Sequence, residues 1–313
     1  MEHSIQEALH TPVMVDEVLH WLITESEGWY VDGTVGTGGH TAALLSRLSP
    51  GGKVLGIDLD HTALAVAHER LSAEAARLTL RQGSYAQAHL FLHELGEVNC
   101  QGILLDLGLS SYCLEGSGRG FSFQADEPLD MRFDPNHGRP LYQILPHLSR
   151  NALTDILVRF GEDRQARSVA TAIYRAATQD RLETTAQLAD TIRLAVRGPL
   201  LTKTLARTFQ ALRIFVNDEL NTLQTALERL TGILRTGARA VMITYHSLED
   251  RMVKQFFARE SRDCLCPPQI PQCVCSHSAA FKILTPKPVT PASEERMQNP
   301  RSRSAKLRAA ERL

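Results

Sequence analysis

Along the first hundred residues, short apolar runs alternate with segments of helical apolar spacing in a repeating rhythm. Trp29 to Val35 is a short β-branched run ending in glycines, and His40 to Leu48 follows with helical spacing until Pro50-Gly51-Gly52 stops it. Lys53 to Asp58 predicts a second strand and Leu64 to Leu71 a second helix. Leu78 to Arg81, Tyr85 to Leu95 and Gly102 to Asp106 continue the series as strand, helix and strand. These strands are apolar on successive residues, so both faces are buried, and each is followed by a helix. That pattern predicts a parallel sheet covered on both sides.

The rhythm breaks after the fourth strand. From Tyr112 to about Gly138 the chain is rich in Gly, Asp, Arg and Pro without a period, which reads as a long loop. From Leu148 to about Leu212 it is helical: Ala152, Ile156, Leu157 and Phe160 form one stripe, Val169, Ile173 and Ala177 another, and Leu188, Ile192 and Ala195 a third. Alternation then resumes. Val216 to Leu234 is amphipathic, Ala238 to Tyr245 is a strand, and Glu249 to Arg259 is a helix. Phe281 to Thr285 and Ala305 to Ala309 are candidates for two last strands, although the final twenty residues and Pro267 to Pro271 read as irregular. One doubly wound α/β domain built from both ends of the chain, with a helical insertion after the fourth strand, accounts for this order.

Length and charge narrow the function. The chain has 313 residues, 43% hydrophobic and 22% charged, a globular composition with room for about two domains. Lys plus Arg number 34 against 35 Asp plus Glu, a net charge of -1. Any nucleic-acid binding therefore needs a local basic patch. No apolar run reaches the roughly 18 residues of a membrane span, and the N-terminus lacks a basic and an apolar signal region. A cytoplasmic protein without a membrane partner is expected; monomer and homodimer both remain open.

Asp32-Gly-Thr-Val-Gly36-Thr-Gly38-Gly39-His40 joins the first strand to the first helix, where glycines admit a ligand close to the backbone. A dinucleotide fingerprint starting at Gly36 needs a third glycine at position 41, which is Thr41. Asp32 is also unfavourable beside a pyrophosphate, so a nicotinamide dehydrogenase is disfavoured. An acid before a glycine-rich turn suits a cofactor with an ammonium and a sulfonium, S-adenosylmethionine. Asp58, ending the second strand, is placed for ribose hydroxyls, and Tyr85 for an adenine, with core packing the bland account of the tyrosine. Asp106 ends the fourth strand at the carboxyl edge, where open α/β sheets hold reacting groups. An unpartnered carboxylate there is costly to bury.

The six cysteines do not suggest disulfides in a chain this large. Cys264-x-Cys266 and Cys273-x-Cys275 form a paired arrangement able to bind a structural zinc ion tetrahedrally, with His277 in reserve. The spacing is tighter than the usual C-x2-C, and four reduced thiols in a Pro-rich loop is the alternative.

Several segments together resemble a known family. They are Asp32 to His40, Gly102 to Ser111, Arg119-Gly-Phe-Ser-Phe123, Pro128-Leu-Asp-Met-Arg132, Arg207 to Ile214, Tyr245-His-Ser-Leu-Glu-Asp-Arg251 and Asn299 to Ser304. In this order they resemble the bacterial 16S ribosomal RNA (cytosine-N4)-methyltransferases, the MraW or RsmH family. The resemblance implies a class I, Rossmann-like, S-adenosylmethionine-dependent methyltransferase with an inserted helical domain. Residues 1–111 and 213–313 would form the methyltransferase domain, and 112–212 the inserted, RNA-recognising one. The substrate implied is 16S rRNA in the small ribosomal subunit, methylated at N4 of a decoding-centre cytosine, cytosine 1402 in the usual 16S numbering.

Carried over by position, Gly38, Gly39, His40, Asp58, Tyr85 and Asp106 would hold the cofactor. The next binding position falls on Cys113, where the family has Gln or His. Asp106 is the candidate acceptor for the reacting amino group, with Ser110 as alternative, and His246 is a candidate for positioning RNA or loop. The Asp/Asn-Pro-Pro-aromatic tetrad usual in amino-methyltransferases is replaced by Asp106-Leu-Gly-Leu109. Arg193, Arg197, Lys203, Arg207 and Arg213 lie in a stretch without acids. With Arg251, Arg301 and Arg303 they are candidates for the phosphate-binding surface; a solvated face is the ordinary alternative. A non-catalytic ribosome-assembly factor keeping this fold is the rival function, opposed by the intact loop and Asp106.

Overall fold

A computed structural model of the chain describes residues 12–109, 117–267 and 272–313. The first stretch contains α1 (Val15–Leu22), β1 (Gly28–Asp32), α2 (Gly39–Arg47), β2 (Gly52–Asp58) and α3 (His61–Arg70). It continues with β3 (Leu78–Gln82), α4 (Ala88–Glu94) and β4 (Cys100–Asp106). A helical stretch follows: α5 (Leu141–Ile144), α6 (Arg150–Gly161), α7 (Ala166–Ala177), α8 (Thr185–Ala195) and α9 (Leu201–Asn217). The chain closes with α10 (Glu219–Ile233), β5 (Leu234–Thr244), α11 (Ser247–Glu260), β6 (Phe281–Ile283), α12 (Ser293–Gln298) and β7 (Lys306–Arg312).

The seven strands form one sheet in the order β3-β2-β1-β4-β5-β7-β6. Strands β1 to β5 are mutually parallel where they pair, and β7 runs antiparallel to both β5 and β6. Side chains alternate across a strand, and both sides here are apolar. On one face Leu55, Ile57, Ile103 and Leu105 pack with Leu92 of α4, Leu227 and Leu230 of α10 and Val253 of α11. On the other, Tyr30, Val54, Leu104 and Val241 pack with Val18 and Leu22 of α1 and Leu44 and Leu45 of α2. This is the doubly wound, Rossmann-like α/β architecture that the apolar runs predict. Among the described residues no helix is long and apolar enough to cross a membrane.

By contact density the chain divides into two compact units, one of residues up to Gly108 with Asn221–Leu313, the other Leu109–Leu220. The second has its own core, in which Leu153, Leu157, Val169, Ile173, Leu188, Ile192, Leu205 and Leu212 are buried. Its irregular entry is fastened from within. Arg119 donates to the carbonyls of Phe133 (2.6 Å) and Arg132 (3.3 Å), and Asn217 bonds Phe133 N and Met131 O, each at 2.7 Å. Gly120 sits at φ 76°, where a Cβ would meet Pro128 O at 2.4 Å. The expected boundary at residue 213 falls inside α9, whose apolar stripe continues through Ile214.

Two expectations are corrected. Helix α1 is absent from the predicted elements, although Val15, Val18, Leu19 and Leu22 have helical spacing. Of the two readings of the chain's end, the strand candidate at Ala305 to Ala309 holds and the irregular tail does not: β7 lies between β5 and β6, with Leu307, Ala309 and Ala310 fully buried. Its basic residues disguise it. Arg308 is buried and donates to Asp250 Oδ1 at 2.7 Å, while Lys306 reaches Oδ2 of the same carboxylate at 3.1 Å. Partial burial pulls the Asp250 carboxyl up, but bonds from Arg308 and Lys306 outweigh it and hold its pKa below the ordinary range.

Asp250→Ala would leave the buried Arg308 cation without its carboxylate and is expected to cost about 3 kcal/mol of stability at neutral pH. Because the folded carboxyl titrates below its unfolded value, this contribution is complete above the unfolded pKa and lost as pH falls through the folded one. Urea unfolding of both proteins at about pH 7 and about pH 3 checks this: the gap between them should shrink in acid.

Candidate functional site

Three adjacent strands, β2, β1 and β4, each end in an aspartate: Asp58, Asp32 and Asp106. The chain winds outward from β1 toward β3 on one side and toward β4 on the other. The carboxyl ends of β1 and β4 therefore flank a topological switch point, where open α/β sheets bind ligands.

The loop after β1 is organised by Asp32. Its side chain is fully buried; Oδ2 accepts from the Thr41 hydroxyl at 2.6 Å and Oδ1 from Thr34 N at 3.2 Å. Burial raises its pKa, opposed by His40 and by bonds from Thr41 and Thr34. Both oxygens thus help to fasten the turn, and the side chain is fully buried. Thr41 stands where the dinucleotide fingerprint needs glycine, and its hydroxyl is what holds Asp32. Gly38, the residue before α2, has φ 85°, and a Cβ there would meet Leu71 Cδ1 at 2.9 Å. A Cβ on Gly39 would press on Pro12 at 3.1 Å.

Asp106 is the most constrained of the three. Its backbone N–H donates to Thr34 Oγ1 at 2.7 Å, fixing the strand end to the β1 loop. Oδ1 accepts from the Tyr245 hydroxyl at 2.8 Å, and Oδ2 lies 3.5 Å from His40 Nδ1. His40 is buried, with Nε2 2.9 Å from Val13 O. A carbonyl only accepts, so Nε2 carries a hydrogen and Nδ1 is the nitrogen that faces Asp106. The His40–Asp106 contact is attractive when the pair holds one proton there. Burial pushes the Asp106 carboxyl up to about 6, with His40 and the Tyr245 hydrogen bond pulling it down. Tyr245 is raised well above its ordinary value, first by burial and then by the Asp106 charge.

Asp58 accepts from Gly36 N at 2.7 Å through Oδ2 and from Asp60 N at 2.9 Å through Oδ1. Each carboxylate oxygen has two lone pairs, so the group can take further donors. Its pKa is pushed up to about 6, chiefly by burial. Tyr85 begins the turn before α4 and is half-buried against the core.

The other candidates separate. His246 is the N-cap of α11: its Nδ1 accepts from Glu249 N at 3.4 Å, and its own N–H donates to Glu249 Oε2 at 3.3 Å. Nε2 lies 3.0 Å from Glu249 Oε1, without a hydrogen-bonding angle. The geometry describes a helix cap. Arg213 is corrected outright. It is buried and donates to both oxygens of Glu219, at 2.7 and 2.9 Å, so its guanidinium is committed to a carboxylate.

Arg197 and Lys203 are exposed, Arg193 pairs with Asp190 at 2.7 Å on the surface, and Arg207 donates to Glu162 O at 3.0 Å. Arg251 and Arg303 are exposed and Arg301 is half-buried. Cys264, Cys266, Cys273 and Cys275 are brought together, with all four sulphurs within 4.8 Å of one another. His277 is outside that group. Ser110 and Cys113 lie outside the described residues. Thr34, Thr41, Tyr245 and Glu249 received no role in the sequence reading because hydroxyls and helix-start acids are common, although Thr34, Tyr245 and Glu249 lie in the family-resembling segments.

Tyr245→Phe removes the donor that favours ionised Asp106, so this carboxyl is expected to titrate above about 6. A pH titration of side-chain carboxyl resonances by NMR reads the shift directly. An unmoved Asp106 titration would contradict the role given to the hydroxyl.

The chain's resemblance to known proteins is extensive. The MraW methylase family matches over residues 7–313. The protein named ribosomal RNA small subunit methyltransferase H of Heliobacterium modesticaldum is 43% identical over 308 residues, covering 97% of this chain and 98% of that one. Proteins of the same name from Thermomicrobium roseum and Geobacter sulfurreducens are each 44% identical, covering 97% of this chain and 94% and 99% of theirs. The match spans both units and every strand of the sheet, and on it the chain belongs to the MraW methylase family.

Proposed function

We propose that this protein transfers a methyl group from S-adenosylmethionine to small-subunit ribosomal RNA, at the exocyclic N4 of a decoding-centre cytosine, cytosine 1402 in the usual numbering. Family membership and the names of its relatives support RNA methylation. The observation that carries the site is Asp106, held at the carboxyl edge between Tyr245 and His40 with its pKa pushed up to about 6.

The residues present fit the cofactor. Asp58 has lone pairs for the ribose hydroxyls, Tyr85 offers a ring for the adenine, and Gly38 and Gly39 let the turn pack closely on Leu71 and Pro12 beside them. When bound, S-adenosylmethionine supplies an electrophilic methyl on sulfonium sulphur. The cytosine amino lone pair is delocalised into the ring, so the protein's work is alignment and exclusion of water. Asp106 accepts a hydrogen bond from that amino group and so favours the pyramidal nitrogen that attacks. Methylation of the amino group leaves a surplus N4 proton, which Asp106 would accept. A carboxyl titrating near 6 is matched to that task at neutral pH. Tyr245 and the protonatable Nδ1 of His40 balance the charge Asp106 gains and loses.

The substrate base must be unpaired or flipped to enter such a site. Arg193, Arg197, Lys203 and Arg207, on α8, α9 and their connection, are proposed to hold the phosphate backbone, with Arg251, Arg301 and Arg303 as further contacts. Replacing Arg193, Arg197 and Lys203 by Ala is expected to lower the salt slope of subunit binding by about 2, from roughly 0.7 per lost phosphate contact.

The decisive assay uses small subunits from cells lacking this enzyme, incubated with the protein and S-adenosylmethionine and digested for mass spectrometry. N4-methylcytidine at one decoding-centre position is expected, and Asp106→Ala should lower kcat by about 10²–10⁴. Cofactor binding with no methyl transfer would favour a non-catalytic assembly role. A wild-type rate in Asp106→Ala would remove Asp106 from the chemistry.

A further inference from the structure

Residues 261–280 connect α11 to β6 without a helix or strand among their described residues. Connections longer than about 12–15 residues are uncommon in compact domains unless something orders them. Its ends are pinned by Ala280 N donating to Glu260 O at 2.7 Å. Within it, the two C-x-C pairs face each other. Cys264 Sγ lies 3.4 Å from Cys273 Sγ and 3.8 Å from Cys275 Sγ, and Cys273 and Cys275 are 3.6 Å apart. A disulfide needs about 2.05 Å. The edge of a tetrahedron of sulphurs around zinc, with Zn–S near 2.3 Å, is about 3.8 Å.

The backbone repeats the pattern on both arms. The middle residue of each pair donates to the second cysteine of the other: Leu265 N to Cys275 Sγ and Val274 N to Cys266 Sγ, both at 3.4 Å. The residue two after a cysteine also donates back to it, Cys266 N to Cys264 Sγ at 3.4 Å and His277 N to Cys275. Backbone N–H groups aimed at sulphur are the outer-shell partners that orient thiolate ligands and spread their charge. Four thiols sharing one centre, with reciprocal N–H donors from both arms, go beyond what a reduced surface loop requires.

The geometry points to a structural zinc site formed by Cys264, Cys266, Cys273 and Cys275, closing the connection between α11 and β6. All four protein ligands are sulphur, which leaves no open position for a substrate. Its place in the sheet agrees. β6 runs parallel to β5, and Phe281, the first residue of β6, pairs with Arg312, next to the Glu311 that faces Arg239, the first residue of β5 to pair with β7. Tyr245 follows the other end of β5, about 20 Å away at 3.3 Å per residue. The zinc staple therefore sits at the amino edge of the sheet, opposite the aspartates, and holds an edge strand rather than serving the reaction.

Metal analysis tests this on the full chain, produced with zinc supplied and purified without metal-affinity steps. About one zinc per chain is expected, released as the thiols react with a mercurial, and falling below about 0.1 in the Cys264→Ser/Cys275→Ser double variant. Limited proteolysis should then cut within 261–280 of the variant or the stripped wild type. S-adenosylhomocysteine affinity should remain within about twofold, because the site lies at the opposite edge. Zinc-free protein with six titratable thiols, or with disulfides among these four, would overturn the proposal. Loss of S-adenosylhomocysteine binding on zinc removal from folded protein would overturn its assignment as a staple remote from the cofactor. The zinc content itself does not depend on the methyl-transfer reading.

Discussion

Three carboxylates at the ends of three neighbouring parallel strands repel one another in a place that water barely reaches. Asp32 raises the pKa of both Asp58 and Asp106, beyond the larger effect of burial. Such an arrangement works against stability and persists only if each group is held by donors. The loop after β1 and the first turn of α2 supply donors from Thr41 and Thr34 to Asp32 and from Gly36 to Asp58, while the Thr34 hydroxyl accepts the Asp106 backbone N–H. One short turn thus sets the positions of all three acids, and the fold around it serves to hold β2, β1 and β4 in register.

The consequence for chemistry lies in the differences among the acids. Asp32 is sealed by its partners and acts on the loop. Asp58 keeps lone pairs available for the proposed ribose contact. Asp106 faces two groups that respond to its charge, a tyrosine hydroxyl and an imidazole whose Nδ1 can carry a proton. A carboxylate with that surrounding can take up a proton without strong cost, and it stands at the switch point of the sheet.

Much of the architecture was legible in the chain because strands buried on both faces leave uninterrupted apolar runs. Val54 to Ile57 and Ile103 to Leu105 could be nothing else in that context. The strand β7 was harder to read, since Arg308 is buried through its pairing with Asp250, a contact 58 positions away that no local pattern shows. Arg213 misled in the reverse direction. In an acid-free stretch it looks available for phosphate, yet the turn after α9 brings Glu219 onto it. Within the site, acids at strand ends announced themselves, while the hydroxyls of Thr34, Thr41 and Tyr245 became meaningful only through their distances to those acids.

The central claim is that this edge of the sheet holds the cofactor through Asp58. Calorimetric titration of S-adenosylhomocysteine into the wild type and Asp58→Ala at pH 7.5 tests it most directly. Hydrogen bonds to a charged group contribute about 1.5–3 kcal/mol, so the variant should bind roughly 10- to 100-fold more weakly while remaining folded. The wild-type affinity should also decline as pH falls through about 6, where Asp58 takes up its proton. Equal affinities for the two proteins, unchanged from pH 7.5 to pH 5, would contradict the account.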